Sequence, residues 1–159
     1  MKKIIGLAAF LLILSACAAS PAKQAFTSIR DAFDRSLSLR CEYTDEDGAT
    51  SINYIKNKMI RTESKTSTGE EMIDVVGLIR DEKIYIWGKE DAEGLMMDLS
   101  KITGDGLEMG DTRVKTIDDI ISELEKNKNN CRVENIPNTN FDVPANINFR
   151  DLSSFNFGE

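Results

Sequence analysis

The segment MIDVVGLIRDEKIYIW, residues 72–87, contains two apolar runs that are separated by a short charged stretch. The first run covers residues 72–79 and is rich in β-branched side chains, and the second is Ile84-Tyr85-Ile86-Trp87. Both compositions are typical of β-strands, and the Asp81-Glu82 pair between them is typical of a turn. The segment therefore predicts two successive strands, and its second run carries the strongest strand signal in the chain.

The same two-residue period continues on both sides of this segment. Short runs with strand composition cover residues 39–43, 52–54, 59–63 and 95–99. Turn composition separates the first three of these runs, and the polar stretch Ser64 to Gly69 predicts a loop. The pattern predicts about six short antiparallel strands in a meander.

Two segments have the apolar spacing of amphipathic helices. The second of them begins at Thr116, whose spacing from Asp119 fits a capping box. The apolar stripes consist of Phe26, Ile29, Phe33 and Leu37 in the first helix and of Ile117, Ile120, Ile121 and Leu124 in the second.

The remaining segments complete the predicted architecture. Residues 100–113 are glycine-rich and predict irregular structure, and late strands are predicted at residues 131–133, 141–144 and 147–149. Two helices bracketing a long antiparallel meander predict an α+β fold. We expect the helices to cover the sheet, because a single sheet with one apolar face needs a second layer.

The amino-acid composition narrows the classes of function that the chain can have. The chain has 159 residues, 20 Lys plus Arg, 27 Asp plus Glu and no His, for a formal net charge of −7. The length fits one domain, and the acidic balance argues against nucleic acid as a partner. Without His the chain lacks the commonest general base and the commonest zinc ligand. We therefore expect a protein that is not an enzyme and that uses no metal or other cofactor.

Residues 1–17 read MKKIIGLAAFLLILSAC, a short positive start followed by an apolar run. The run is too short to span a bilayer and fits a secretory signal peptide. Its end, Leu14-Ser15-Ala16-Cys17, resembles the lipobox of bacterial lipoproteins. The resemblance implies cleavage before Cys17 and attachment of diacylglycerol to its sulfur, which would anchor the protein to a membrane.

This resemblance divides the chain into four parts. Residues 1–16 are the signal peptide, 17–22 the lipidated Cys and a short tether, 23–152 a single α+β domain and 153–159 a tail. Loss of residues 1–16 leaves 18 basic and 27 acidic side chains, a net charge of −9. Ala18 follows the anchor, and by the same resemblance this favours the periplasmic side of the outer membrane in a diderm. In a monoderm the protein would lie on the outer face of the plasma membrane.

Cys41 and Cys131 are the two cysteines that the anchor does not use. In an exported protein the simplest reading is one disulfide, which we expect to join adjacent strands at the beginning and end of the sheet. A redox pair is the alternative, but the chain has no C-x-x-C motif.

The order of elements resembles the lipoprotein-carrier (LolA/LolB-like) superfamily, and also small uncharacterised bacterial lipoproteins with paired cysteines. The resemblance covers residues 22–150 and lies in the first helix, in the meander with residues 58–61 and 81–87, and in the late segment 141–144. It implies an open half-barrel covered by helices, whose concave side can hold acyl chains. The residues that could line such a cavity are Tyr54, Trp87, Met96 and Met97, since Met adapts to irregular apolar ligands. A place in the core is the favoured alternative for them, because each strand must bury one face whether or not a ligand binds.

Three functions remain open. The first is a membrane-anchored, non-enzymatic cell-envelope lipoprotein that binds a hydrophobic ligand or a lipidated partner in a half-barrel. The second is a lipoprotein with a solid core that docks an envelope protein. The third, a hydrolase, is disfavoured because His is absent.

Overall fold

An eight-stranded sheet organises the structure, a computed structural model that describes residues 26–44, 48–68, 71–102, 106–109 and 112–153. The predicted signal peptide, Cys17 with its tether, residues 45–47 and residues 154–159 lie outside the described residues. The strands are β1 Leu39–Thr44, β2 Thr50–Lys56, β3 Met59–Thr68, β4 Glu71–Arg80, β5 Lys83–Gly88, β6 Glu93–Asp98, β7 Leu107–Met109, β8 Thr112–Val114, β9 Cys131–Val133 and β10 Asn148–Asp151.

The large sheet has the strand order β10-β6-β5-β4-β3-β2-β1-β9. Its six central strands form the predicted antiparallel meander, and the class α+β is confirmed together with helices α1, Ile29–Asp34, and α2, Ile117–Glu125. At the edges, β9 pairs antiparallel with β1 and β10 pairs parallel with β6. Since β9 and β10 lie at opposite edges, the sheet is open.

Three local predictions are wrong. The loop predicted at residues 64–69 is largely strand, because β3 pairs with β4 as far as Thr68. Residues 100–113 were predicted to be irregular, but β7 and most of β8 lie within them and form a hairpin. The strand predicted at residues 141–144 is absent: Asn138–Phe141 is a 3-10 helix, and Phe141 is buried instead of alternating in a sheet.

Two tight turns set the register of the central hairpins. Asn57 and Lys58 join β2 to β3 with φ of 49° and 63°, and Asp81 and Glu82 join β4 to β5 with φ of 52° and 59°. Positive φ at both central residues is the type I′ geometry, whose twist matches that of antiparallel strands. The turns therefore form as predicted, but Lys58 and Glu82 adopt a conformation that suits glycine better.

One face of the sheet, which we term the helix face, carries an unbroken buried row of six residues in register. These residues pack in one cluster with Ile29, Ala32 and Phe33 of α1 and Ile121 of α2. The backbone N–H of Ile29 also donates to Glu125 Oε2 at 2.6 Å, which links the start of α1 to the end of α2. The row consists of Leu39, Ile55, Ile60, Ile79, Ile84 and Met97.

The opposite face is packed by residues 134–147, which we term the strap. Ile136 and Phe141 of the strap are fully buried against Val76, Leu78 and Trp87. Three cations from the sheet also donate to strap carbonyls. Lys56 Nζ reaches Ile136, Arg61 Nη1 reaches Asn140 at 3.3 Å, and Arg80 Nη1 reaches Phe141 at 3.1 Å. We term this face the strap face.

A disulfide joins Cys41 to Cys131, as predicted. The two cysteines are register partners on β1 and β9, so the bridge ties the first strand of the sheet to one that follows α2. The two cysteines are 90 residues apart in the sequence, so the bridge closes a long loop.

We expect Lys58→Gly and Glu82→Gly each to raise the free energy of unfolding by about 0.5–1 kcal/mol, because glycine adopts positive φ without the Cβ clash. Urea unfolding of each variant measures the change. The control is Lys65→Gly inside β3, which should lower stability by a similar amount. A loss of stability in either turn variant would contradict the type I′ assignment.

Removing the bridge with Cys41→Ala/Cys131→Ala should lower the free energy of unfolding by about 4–5 kcal/mol, since the unfolded chain regains the entropy of a long loop. Urea unfolding with and without a reductant measures this loss. Reductant should destabilise the wild type but leave the double variant unchanged. Equal stability of the oxidised and reduced wild type would refute a stabilising bridge.

Candidate functional site

Next to its buried row, the helix face is polar on some strands and apolar on others. The next two rows are polar on β2 and β3, where Ser51, Asn53, Thr62 and Ser64 lie. On β4 to β6 the same face is apolar. Its side chains there are Ile73, Val75, Ile86 and Leu95.

These four apolar side chains line an open pocket of about 990 Å³. Ile73 is 38% exposed, one of the most exposed large apolar side chains among the described residues. The turn between β5 and β6 forms one rim of the pocket, and β10 forms another. The polar and charged lining residues are Asp74, Lys89, Glu90, Asp91, Glu93, Asn148 and Arg150, and Trp87, Gly88 and Gly94 complete the wall.

The structure divides the four residues that the sequence indicated as cavity lining between the two faces of the sheet. Met97 belongs to the buried row on the helix face, whereas Tyr54 and Trp87 pack in the cluster of the strap face. Met96 is the register partner of Tyr85, which packs in that same strap-face cluster. Among the four, Trp87 alone lines the pocket.

Sequence reasoning missed the lining residues Ile73, Val75, Ile86 and Leu95. A signal for them existed, because Ile73 and Val75 alternate with residues of the opposite face inside the segment 72–87. Once the turn at Asp81-Glu82 sets the register, Ile86 follows on the same face. The alternation of residues assigns each side chain to a face, but it does not show which of the two apolar faces stays open.

A buried amide lies on the helix face beside the disulfide. Asn53 is 1% exposed and is the register partner of Cys41. Its Oδ1 accepts a hydrogen bond from Thr62 Oγ1 at 2.6 Å, whereas its Nδ2 has no hydrogen-bond partner within the described ranges. A buried donor without a partner costs stability, so Asn53 is a position where the fold is not optimised.

Several carboxyl groups have a lowered pKa, but Asp98, Asp119 and Asp151 do not line the pocket. The hydroxyl of Ser100 lowers the pKa of Asp98, and the hydroxyl of Ser153 lowers the pKa of Asp151, in each case by hydrogen bonding to the ionised form. The backbone N–H of Lys115, followed by that of Thr116, lowers the pKa of Asp119. Asp119 is the acidic member of the capping box of α2, which the structure confirms.

Within the described part of the chain, no group of three or more Cys, Asp and Glu side chains is placed to hold a metal ion. None of the helices that the structure describes is both long enough and apolar enough to cross a bilayer. No protein-family model matches the chain, and no curated protein or solved structure is significantly similar to it.

Replacing Asn53 by Leu should raise the free energy of unfolding by about 1 kcal/mol, because the change removes a buried donor that lacks a partner. Thermal unfolding measures the effect. The matched variant Thr62→Val deprives the amide oxygen of its donor and should lower stability by about 1–2 kcal/mol. A destabilised Asn53→Leu protein would mean that the amide makes an interaction the fold needs.

Proposed function

We propose that the protein is a membrane-anchored cell-envelope lipoprotein that binds a hydrophobic ligand in the helix-face pocket and catalyses no reaction. The observation that carries this proposal is the pocket of about 990 Å³ with four apolar side chains on its floor. Pockets that bind small ligands are typically apolar, with a few polar groups at fixed positions.

The free energy of burying apolar side chains favours a ligand bound over the pocket floor. Covering an apolar side chain of this size is worth about 1.5–3 kcal/mol relative to full exposure, and the lining side chains are already partly shielded. An occupant that covers the floor therefore gains a fraction of that value at each of several positions. An open sheet with apolar residues on one face also supports the half-barrel arrangement in which helices cover the rest of that face.

The anchor rests on the N-terminal sequence. Residues 1–17 combine a positive start, an apolar run and the lipobox-like Leu14-Ser15-Ala16-Cys17. We propose that diacylglycerol on Cys17 holds the domain at the membrane, where hydrophobic ligands are concentrated. In a diderm the proposed location is the periplasmic side of the outer membrane, and in a monoderm the outer face of the plasma membrane.

Native mass spectrometry of the acylated protein after gentle extraction tests the proposed function. We expect a lipid-sized adduct in addition to the mass of the anchor on Cys17. The variant Ile73→Glu should lose this adduct, because it places a charge on the apolar floor. Val133→Glu is the matched control, since Val133 is 37% exposed on β9, at the opposite edge of the sheet from the pocket.

Two outcomes would overturn the proposal. A wild-type protein that retains nothing beyond its covalent anchor would exclude a stably bound ligand. Crosslinking in intact cells that yields one defined protein adduct through Ile73, with no lipid retained, would favour the alternative of a lipoprotein that docks an envelope protein.

A further inference from the structure

A diagonal trough between β4 and β5 begins in the floor of the pocket at Gly88 and runs along the same face of the sheet to Gly77, just beyond the pocket lining. Val75 is the register partner of Gly88, and Gly77 is the register partner of Ile86, all on the helix face. The two glycines therefore occupy opposite corners of a square whose other corners carry the side chains of Val75 and Ile86. Diagonal neighbours of this kind lie about 7–8 Å apart, so the trough is narrow and short.

At the inner end of the trough, the absence of a side chain on Gly77 leaves unfilled space above the strand. It lies inside a central strand, where glycine lowers stability and often marks a close approach by a ligand. Among the described residues, the nearest heavy atom to a Cβ built on Gly77 is Thr62 Cβ at 3.9 Å. A Cβ at this position would make only an ordinary van der Waals contact, so packing within the described residues does not require glycine.

A carboxylate lies at the outer end of the trough. Asp91 Cγ is 2.8 Å from the position that a Cβ on Gly88 would take, so the Asp91 side chain lies directly over this glycine. Asp91 belongs to the turn between β5 and β6, which also brings Glu90 and Glu93 to the rim with Lys89 as its one cation. None of these three acids forms an ion pair with another described residue. Asp74 differs, since it lies 3.9 Å from Lys65.

We infer that the pocket binds an amphiphile with an unbranched alkyl chain and a cationic head. The chain lies in the trough over Gly77, between Val75 and Ile86, and the head meets the carboxylate of Asp91. An anionic head would face three carboxylates at the same rim, which disfavours it. Arg150 lines the pocket from β10, in register with Leu95, whereas Asp91 lies in the turn between β5 and β6. This inference rests on the proposed function and specifies its ligand class.

Photolabelling of the acylated protein in lipid nanodiscs tests the inference. The probes are three diazirine-bearing dodecyl chains with a trimethylammonium, a carboxylate or a neutral maltoside head, and peptide mapping reports labelling of residues 71–98. We expect the ammonium probe to label this region at the lowest concentration. In the Asp91→Asn variant, the half-saturating concentration of the ammonium probe should rise about threefold, because an exposed ion pair contributes little binding energy. Asp81→Asn, in the turn at the other end of β5, is the control and should change nothing.

A second pair of variants tests the trough. Gly77→Leu should displace about three methylenes of the chain, and since each buried methylene is worth about fourfold in affinity, binding should weaken about fiftyfold. Gly77→Ala should weaken it much less, and thermal unfolding confirms that both variants fold. Ser51→Leu makes a comparable increase in size on the polar part of the same face and should leave labelling unchanged.

The outcomes separate this inference from the function on which it rests. If no probe labels residues 71–98 in the wild type, the proposed function fails. If all three probes label equally, with no effect of Asp91→Asn or Gly77→Leu, the pocket binds hydrophobic ligands but this inference is wrong. Preference for the carboxylate probe would also overturn it.

Discussion

Strand register is the constraint on which the rest of the structure depends. Side chains alternate between the faces of a sheet, so a slip of one residue would exchange the helix face with the strap face. Two-residue turns at Asn57-Lys58 and Asp81-Glu82 hold β2 against β3 and β4 against β5 in registers that align one buried apolar residue per strand. The resulting row under α1 and α2, from Leu39 to Met97, exists only in this register.

Different elements pack on the two faces of the sheet, and this difference creates the candidate site. The strap face combines apolar anchors with hydrogen bonds from Lys56, Arg61 and Arg80 to strap carbonyls, which satisfy backbone groups of a segment that pairs with no strand. On the helix face, the buried row packs with the helices, whereas the apolar floor on β4 to β6 lines an open pocket among the described residues. The pocket therefore follows from the limited extent of the helix contact.

Elements that depend on residues close together in the sequence were predicted, whereas elements that depend on contacts between distant residues were not. The strands β4 and β5, both central turns and the capping box at Thr116 rest on local composition and local hydrogen bonds, and the sequence indicated all of them. The strap was mistaken for a strand at residues 141–144, because Phe141 is buried by contacts with residues distant in sequence. The pocket residues were missed for the same reason, since alternation identifies a face but not what covers it.

The sequence by itself determined the meander, the α+β class and the pairing of Cys41 with Cys131, because periodicity, turn residues and a count of cysteines are local or arithmetical properties. Only the tertiary structure decided that Met97 is buried with the helices while Trp87 packs beneath the strap. It alone placed Gly88 under Asp91 and Gly77 at the diagonal position on the neighbouring strand. These arrangements depend on inter-strand register and on which segment reaches which face, and both arise from contacts between residues far apart in the chain.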